Sequence, residues 1–442
     1  MSSPSPCLPR IVGPYAIYGE VGAGGMAVVH FGKRLDRPDP EGPARTGRRV
    51  ALKCLKPQYA GDEEFRGMFR DEARIASAVV HPNVVRTYGA LEHGSEVVLV
   101  MDYVPGETLG RLLEHAHVRG EAIPLTIVLG VIAQVLRGLH AAHEARAADG
   151  AELHIVHRDM SPANVLVGID GIVRVLDFGI AQANVRLEAT REGRLKGKLA
   201  YMAPEQLGAG GHVTRRADVY ATSVVLWELL TGKRLFRNDD VTATVADKLF
   251  APIDPPSRHR PGLSSAVDRL VAQGLARDLE RRFATAHDME VAVQRVFPVA
   301  APGQIAEWVL EQARDALTSR ARAVLAWERL PLPPDDSPVP LAGERGGAIE
   351  APPAEARKTH AEDRPRVDDE PRRPQTAAAR SLRLWHRAAW PVSAIAFLLC
   401  VWLNARGGQR WLTELLGRSA PHAATVGREA GDLPHATRAP SK

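Results

Sequence analysis

His157-Arg158-Asp159-Met160-Ser161-Pro162-Ala163-Asn164, followed by Asp177-Phe178-Gly179, puts two carboxylates and a carboxamide into one short stretch. Their oxygens are hard donors, the kind that suits Mg²⁺. Far upstream lies Val21-Gly22-Ala23-Gly24-Gly25-Met26-Ala27-Val28-Val29. Glycines let a backbone approach phosphate oxygens without a Cβ clash, and their N–H groups donate to those oxygens. Val50-Ala51-Leu52-Lys53 ends a β-like run in a cation. Singly, these are a turn, a strand-end surface lysine and solvated acids. Together they suggest handling of a phosphate-bearing ligand with a divalent cation.

In order and spacing the set resembles the protein kinases: a glycine-rich loop, V-A-I-K, H-R-D with N, then D-F-G. Met202-Ala203-Pro204-Glu205 resembles their A-P-E motif. The likeness covers residues 12 to 297, about two-thirds of the chain, and is nearest to bacterial eukaryotic-like (Hanks-type) Ser/Thr kinases. It implies ATP and Mg²⁺ as cofactors. By that likeness Val21, Gly22, Ala23, Gly24 and Gly25 would cover the phosphates. Val29, Ala51, Met101 and Leu166 would enclose adenine, with Met101 as gatekeeper. The backbone from Asp102 to Val104 would hydrogen-bond the base. Lys53 would bind the α- and β-phosphates, paired with Glu72; the neighbouring Asp71 fits the pattern less well. Asp159 would orient the substrate hydroxyl, and Asn164 and Asp177 would hold Mg²⁺. Glu205 would pair with Arg282, and Asp218 would hold the catalytic-loop backbone. The partners implied are protein substrates and the enzyme itself by autophosphorylation.

These residues need elements to hold them. The first part alternates short β-like runs (Val28–Phe31, Val50–Lys53, Val97–Val100) with a helical stretch from Phe69 to Ala78. The later part is mostly helical, with long apolar periodicity over Thr126–His143 and Ala217–Leu230. This is an α+β order. The fold expected is bilobal and kinase-like: an antiparallel N-lobe sheet with one helix, then a mainly helical C-lobe. Arg34–Arg49 and Ala145–Glu152 read as surface insertions.

Outside residues 12–297, positions 1–11 read as a disordered start without the apolar core of a secretory signal. Residues 298–330 read as a helical extension, carried by Gln304–Glu328, that either enlarges the domain or begins a stalk. Residues 331–384 are rich in Pro, Glu, Asp and Arg and read as a disordered linker. Residues 385–405 contain an uncharged apolar run, Ala388 to Leu403, with Trp390 and Trp402 near its ends. About 18 residues at ~1.5 Å give ~27 Å, close to a ~30 Å hydrocarbon core. We read residues 388–405 as one span in the lipid bilayer, which makes the protein single-pass in the inner cell membrane. Arginines precede the span (Arg372, Arg373, Arg380, Arg383, Arg387), and a cytosolic ATP supply places the catalytic part in the cytoplasm. Residues 406–442 form a short tail. A net charge of +5 on 442 residues gives no reason to expect nucleic acid as a partner. Cys7, Cys54 and Cys400 stand in no metal-like spacing, as expected of a reducing compartment.

Several positions depart from the family pattern. The third glycine of the loop is Ala27, and a glycine usual after Asp218 is Ser223. The lysine usual two residues after the catalytic Asp is Ser161. The Thr usual before A-P-E is Lys198. The two types look exchanged, so Lys198 is expected to supply the missing positive charge, with Ser161 as its hydrogen-bond neighbour. Between Asp177 and Glu205, Thr190 is the sole Ser or Thr. Its phosphate would pair with Arg158. The leading reading is Ser/Thr phosphorylation by a membrane-anchored signalling kinase. The alternatives are a pseudokinase scaffold, a Tyr or dual-specificity kinase, and a small-molecule kinase.

Overall fold

The computed structural model describes residues 8–35, 47–94, 96–147, 149–178, 195–207, 213–238 and 240–332. The linker, the span, the tail, Gly179 and Thr190 lie outside the described residues.

Among the described residues there are nine strands. Six form one antiparallel sheet in the order β1 (Arg10–Val12), β2 (Tyr15–Ala23), β3 (Ala27–Arg34), β4 (Arg49–Leu55), β6 (Glu96–Asp102), β5 (Thr87–His93). Register aligns Val29 with Lys53 and Lys53 with Leu99, and pairs Phe31 with Ala51 and Ala51 with Met101. Side chains alternate across a strand, so all six residues share one face. The opposite face carries Val50, Leu52, Val98 and Val100, packed with Val12 and Ile17. Between β4 and β5 run α1 (Pro57–Ala60) and α2 (Glu63–Ala78). Asp62 caps α2 by accepting from Glu64 N–H, and Phe65, Phe69, Glu72, Ala73 and Ala76 make its buried face.

β7 (Gly106–Thr108), β8 (Val165–Gly168) and β9 (Val173–Val175) form a second small sheet. Around it lie α3 (Leu109–Arg119) and α4 (Leu125–His143), then α5 (Leu195–Leu199), α6 (Pro204–Leu207), α7 (Arg216–Thr231), α8 (Val241–Phe250), α9 (Ser265–Gly274) and α10 (Ala286–Val296). α4 is long and apolar enough to cross a membrane by length and composition, yet most of it is buried in this lobe. It is apolar all round because it is the lobe's central core helix. α7 is the second such helix: every residue from Ala217 to Leu230 is buried.

Two boundaries differ from expectation. Residues 10–12 are not a loose start but pair with β2, because Val12 is buried and Arg10 reaches Glu96 at 2.6 Å. Packing also continues past Phe297. α11 (Pro302–Gln312) adds Ile305, Trp308 and Val309 to the core of the helical lobe. The helical tract breaks at Ala313, and α12 (Arg314–Trp327) turns back to the first lobe. Docking of these helices excludes a free stalk over residues 302–328.

Candidate active site

Asp159, Ser161 and Asn164 sit on the loop that enters β8, and Asp177 follows β9. The loop is held from below. Asp218, fully buried in α7, accepts from the N–H groups of His157 and Arg158, both at 2.8 Å, and from His143 Nε2 at 2.8 Å. Burial alone raises a carboxyl pKa, but the hydrogen bond and charge of His143, with His157, outweigh it and hold Asp218 below its usual value. Those bonds fix a backbone that is costly by itself at Arg158, φ 62°; Asp177, with φ 41°, is a second left-handed residue of the site. A non-glycine residue in that region costs about 1–3 kcal/mol and persists only where its surroundings enforce it. His157 Nε2–H donates to Leu176 O at 2.8 Å, leaving Nδ1 to accept from Asp159 N–H at 3.3 Å. The loop before β8 and the segment after β9 are thereby tied together.

Lys53 is the cation of the cleft. Its Nζ lies 2.7 Å from Glu72 Oε1 and 3.0 Å from Asp177 Oδ1. Burial pulls Lys53 down, but Asp177 and Glu72 push its pKa well above the usual lysine value, so it stays charged. Burial raises Glu72 above the usual carboxylate range, Lys53 opposes that, and Asp177 adds to it. Two acids thus share one ammonium. Asp71 points elsewhere, to Arg74 at 3.6 Å, which decides between the two acids on α2. Phe178 packs with Ala76, Val79 and Ile155, under α2 and away from the cleft.

Asn164 Nδ2 donates to Asp159 O at 2.7 Å and to Asp159 Oδ2 at 3.2 Å. Its Oδ1 is left for a cation. Asn164 and Asp177 together offer one amide and one carboxylate oxygen set. No cluster of three or more His, Cys, Asp or Glu among the described residues could hold a metal unaided. Mg²⁺ needs no such cage, because one or two protein ligands plus phosphates and waters complete its shell. The donor set therefore fits Mg²⁺ bound together with a nucleotide.

Val29, Ala51, Met101 and Leu166 share one apolar cluster with Leu176 and Tyr103. This is a slot bounded above by the sheet and below by β8. Val104 N–H has no hydrogen-bond partner among the described residues, as a hinge donor for a base requires. Asp102 is arranged differently: its N–H is committed to Arg86 O at 2.9 Å, and its carboxylate accepts from Tyr88 and Arg48. Gly22 pairs with Val29, while Ala23, Gly24 and Gly25 form the exposed tip of the β2–β3 hairpin. A Cβ on Gly22 would meet nothing, so the loop leaves open space. Val21 is half-buried at its base. Ala27 turns its methyl into the apolar cluster, which explains why a side chain is tolerated there.

Lys198, on α5, brings its Nζ to 2.9 Å from Asp159 Oδ2. One expectation is corrected. The Ser161 hydroxyl makes no hydrogen bond to Lys198; the ammonium takes the carboxylate instead, a stronger acceptor than a neutral hydroxyl. Ser161 contributes its carbonyl, which accepts from Asn164 N–H at 3.0 Å. Arg158 is exposed, and the partner expected for it, Thr190, lies outside the described residues. Glu205 and Arg282 form a buried bidentate pair at 2.7 and 3.2 Å. Sequence reasoning missed His143, whose only signal was its place at the end of an apolar helix. It also missed Arg320, Trp327 and Glu328, which carry no motif.

The protein kinase domain family matches residues 15–294. The chain is 37% identical over 282 residues to tyrosine-protein kinase MasK of Myxococcus xanthus, covering 64% of this chain and 43% of MasK. It is 34% identical over 288 residues to serine/threonine-protein kinase PrkC of Bacillus subtilis, covering 65% and 41%. It is 34% identical over 318 residues to serine/threonine-protein kinase PknL of Mycobacterium tuberculosis, covering 70% and 72%. The chain thus spans about two-fifths of the length of MasK and PrkC. The crystal structure of the Mycobacterium tuberculosis PknI kinase domain is 26% identical, with a TM-score of 0.48 over 67% of this chain and 100% of that one. With its motifs gathered in one cleft and the match spanning most of the described residues, the chain belongs to the protein kinase family.

Proposed function

We propose that the chain is an ATP-dependent protein kinase acting on Ser and Thr. The observation that carries this reading is the convergence of Lys53, Glu72, Asp177, Asn164, Asp159 and Lys198 through direct contacts on one cleft. In this reading ATP lies in the apolar slot, its base against Val104 N–H. Lys53 orients the α- and β-phosphates. Mg²⁺, held by Asn164 and Asp177, would neutralise charge gathering on the transferred phosphoryl group. Asp159 accepts the hydroxyl proton of the substrate. Lys198 places a positive charge beside that carboxylate, where the phosphoryl group passes, and so stands in for the lysine absent at Ser161. A scaffold that has lost transfer is disfavoured because no member of this set is missing.

A radiolabelled-ATP assay of the full chain, with Asp159→Asn as control, tests the activity. Transfer abolished by Asp159→Asn is the expected result; transfer that survives it overturns the assignment of Asp159. A second reading, transfer to Tyr, is favoured by the 37% identity to MasK and by Lys198 at the usual Thr position. Phosphoamino-acid analysis of the product separates the two: phosphotyrosine alone rejects the Ser/Thr reading. Phosphosite mapping in the same experiment tests Thr190 as the regulatory site. We also propose that residues 385–405 anchor the enzyme in a membrane with its catalytic part cytoplasmic. Recovery of the full chain in the soluble fraction would overturn that anchor.

A further inference from the structure

The two lobes are joined at the hinge, residues 103–105, and a second connection crosses beside it. α11 is rooted in the helical lobe through Ile305, Trp308 and Val309. The carbonyl of Gln312 at its end accepts from His115 Nδ1–H at 3.1 Å, and Gln312 Nε2 donates to Glu121 at 3.0 Å. From that root α12 runs past the hinge. Arg320 donates to Gly106 O at 2.5 Å and to Glu107 Oε2 at 2.9 Å, on the strand that leaves the hinge. Glu107 is buried, so Arg320 is its charge partner and not a surface ornament.

Seven residues on, a rise of about 10 Å, Trp327 reaches the sheet. Its ring stacks on Phe31 at 6.0 Å between centroids with a 23° tilt. Phe31 in turn meets the hinge residue Tyr103 edge-on at 5.0 Å, and Tyr18 at 5.8 Å. Trp327 also lies flat on Gly19: a Cβ there would come within 2.0 Å of the indole. Next to it Glu328 grips Arg49 with both oxygens, at 2.8 and 2.9 Å, and Lys33 at 3.6 Å. α12 therefore holds one lobe by Arg320 and the other by Trp327 and Glu328.

We infer that α12 is a strut across the hinge, and that Trp327 and Arg320 are positioning residues for nucleotide binding. Phe31 stands on the same face of β3 as Val29, two residues along, and Tyr103 belongs to the apolar cluster of the nucleotide slot. Lobes joined by a hinge move by default. A strut fixed to both raises the fraction of molecules whose lobes are set to accept nucleotide. Apparent affinity scales with that fraction. Its loss weakens binding and leaves the turnover of the bound enzyme almost unchanged, since neither residue touches the reacting atoms.

This rests on the cleft being a nucleotide site, and the test separates the two ideas. On the full chain, the affinity for a non-hydrolysable ATP analogue with Mg²⁺ is measured alongside kcat and KM for ATP. Trp327→Ala is expected to raise both Kd and KM about tenfold, as a fall of the competent fraction to about a tenth requires, with kcat within about twofold. Trp327→Phe restores most of the affinity. Gly19→Ala displaces the indole without touching the strut's own residues and reproduces the loss. Combined with Trp327→Ala it adds nothing further, because the clash is gone. If Trp327→Ala fails to fold, Gly19→Ala and Glu328→Gln give the same reading. Variants that lower the melting temperature with Kd unchanged overturn the strut alone. A wild-type chain that does not bind the analogue overturns the nucleotide site and the strut together.

Discussion

Lys198 and Asp159 are 39 positions apart in sequence and 2.9 Å apart in space. Lys198 is 47% exposed and Asp159 16%, so the ammonium approaches the carboxylate from the open side of the cleft. In the proposed reading a substrate hydroxyl and a phosphoryl group arrive from that same side.

Lys198→Ala is expected to lower kcat about a hundredfold, the scale of losing one preorganised charge at a transition state. KM for ATP should stay near the wild-type value, because in the proposed reading the ground-state phosphates fall to Lys53 and not to Lys198. Steady-state kinetics with a protein substrate make the check. A wild-type kcat would show Lys198 to be a bystander.

The Glu205–Arg282 pair is buried on both sides, and Arg282 also donates to Arg216 O at 2.9 Å. Removing either partner leaves a buried charge alone, which costs about 3–5 kcal/mol. Glu205→Ala and Arg282→Ala should each shift the denaturant midpoint by a corresponding amount. A midpoint equal to wild type would contradict the burial.

Lys248 is fully buried in α8; its Nζ donates to Met202 O at 2.9 Å and stands 3.9 Å from the Phe236 ring centroid. Burial pulls its pKa down to about 7, against the charge of Glu228. Between pH 7 and about 10.4 the unfolded chain therefore binds this proton and the folded one does not. Stability rises with pH wherever the unfolded state holds more protons. From pH 7 to 9 wild type should gain about 2 kcal/mol relative to Lys248→Met, near the limit of ~1.4 kcal/mol per pH unit. Chemical denaturation of both proteins at the two pH values measures it, and parallel behaviour would refute a neutral buried lysine.

Ser223 occupies space that a smaller residue on α7 would leave, and Gly274 on α9 makes room for it. A Cβ on Gly274 would fall 2.0 Å from Ser223 Oγ. Gly274→Ala is expected to destabilise by about 1–3 kcal/mol through overpacking. Ser223→Gly in the same chain should recover a coupling of about 1 kcal/mol in a double-mutant cycle. Strict additivity would mean that the two sites do not touch.

Much of the site was legible in the sequence, because it is written in short range. Asp159 and Asn164 share one loop, Lys53 ends one strand, and Glu72 lies on the one buried face of α2. Residue type at fixed spacing points to such chemistry before any packing is known. Three strands, β3, β4 and β6, and the core helices α4 and α7 were likewise legible, since alternation and unbroken apolar runs report burial directly. The start of α2 was not: it begins at Glu63, where charged residues of its first turn hide the periodicity, while its end at Ala78 was.

Periodicity says which face is buried and never against what. Glu72 and Asp71 are neighbours on α2; the motif favoured Glu72, and the docking of α2 on the sheet is what brings it, and not Asp71, to Lys53. Sequence suggested a hydroxyl neighbour for Lys198; the fold brought a carboxylate nearer, and charge decided the contact. α12 is the extreme case. Val324 is its one fully buried hydrophobic residue, so it shows no apolar stripe to read. Its place is set by Arg320, Trp327 and Glu328 finding Glu107, Phe31 and Arg49, partners over two hundred positions away. The sequence by itself determined the kinase family and the residues of the proposed catalytic chemistry, because local spacing encodes them. The tertiary structure alone decided what holds the two lobes in register, because that depends on long-range contacts between single residues, which leave no pattern along the chain.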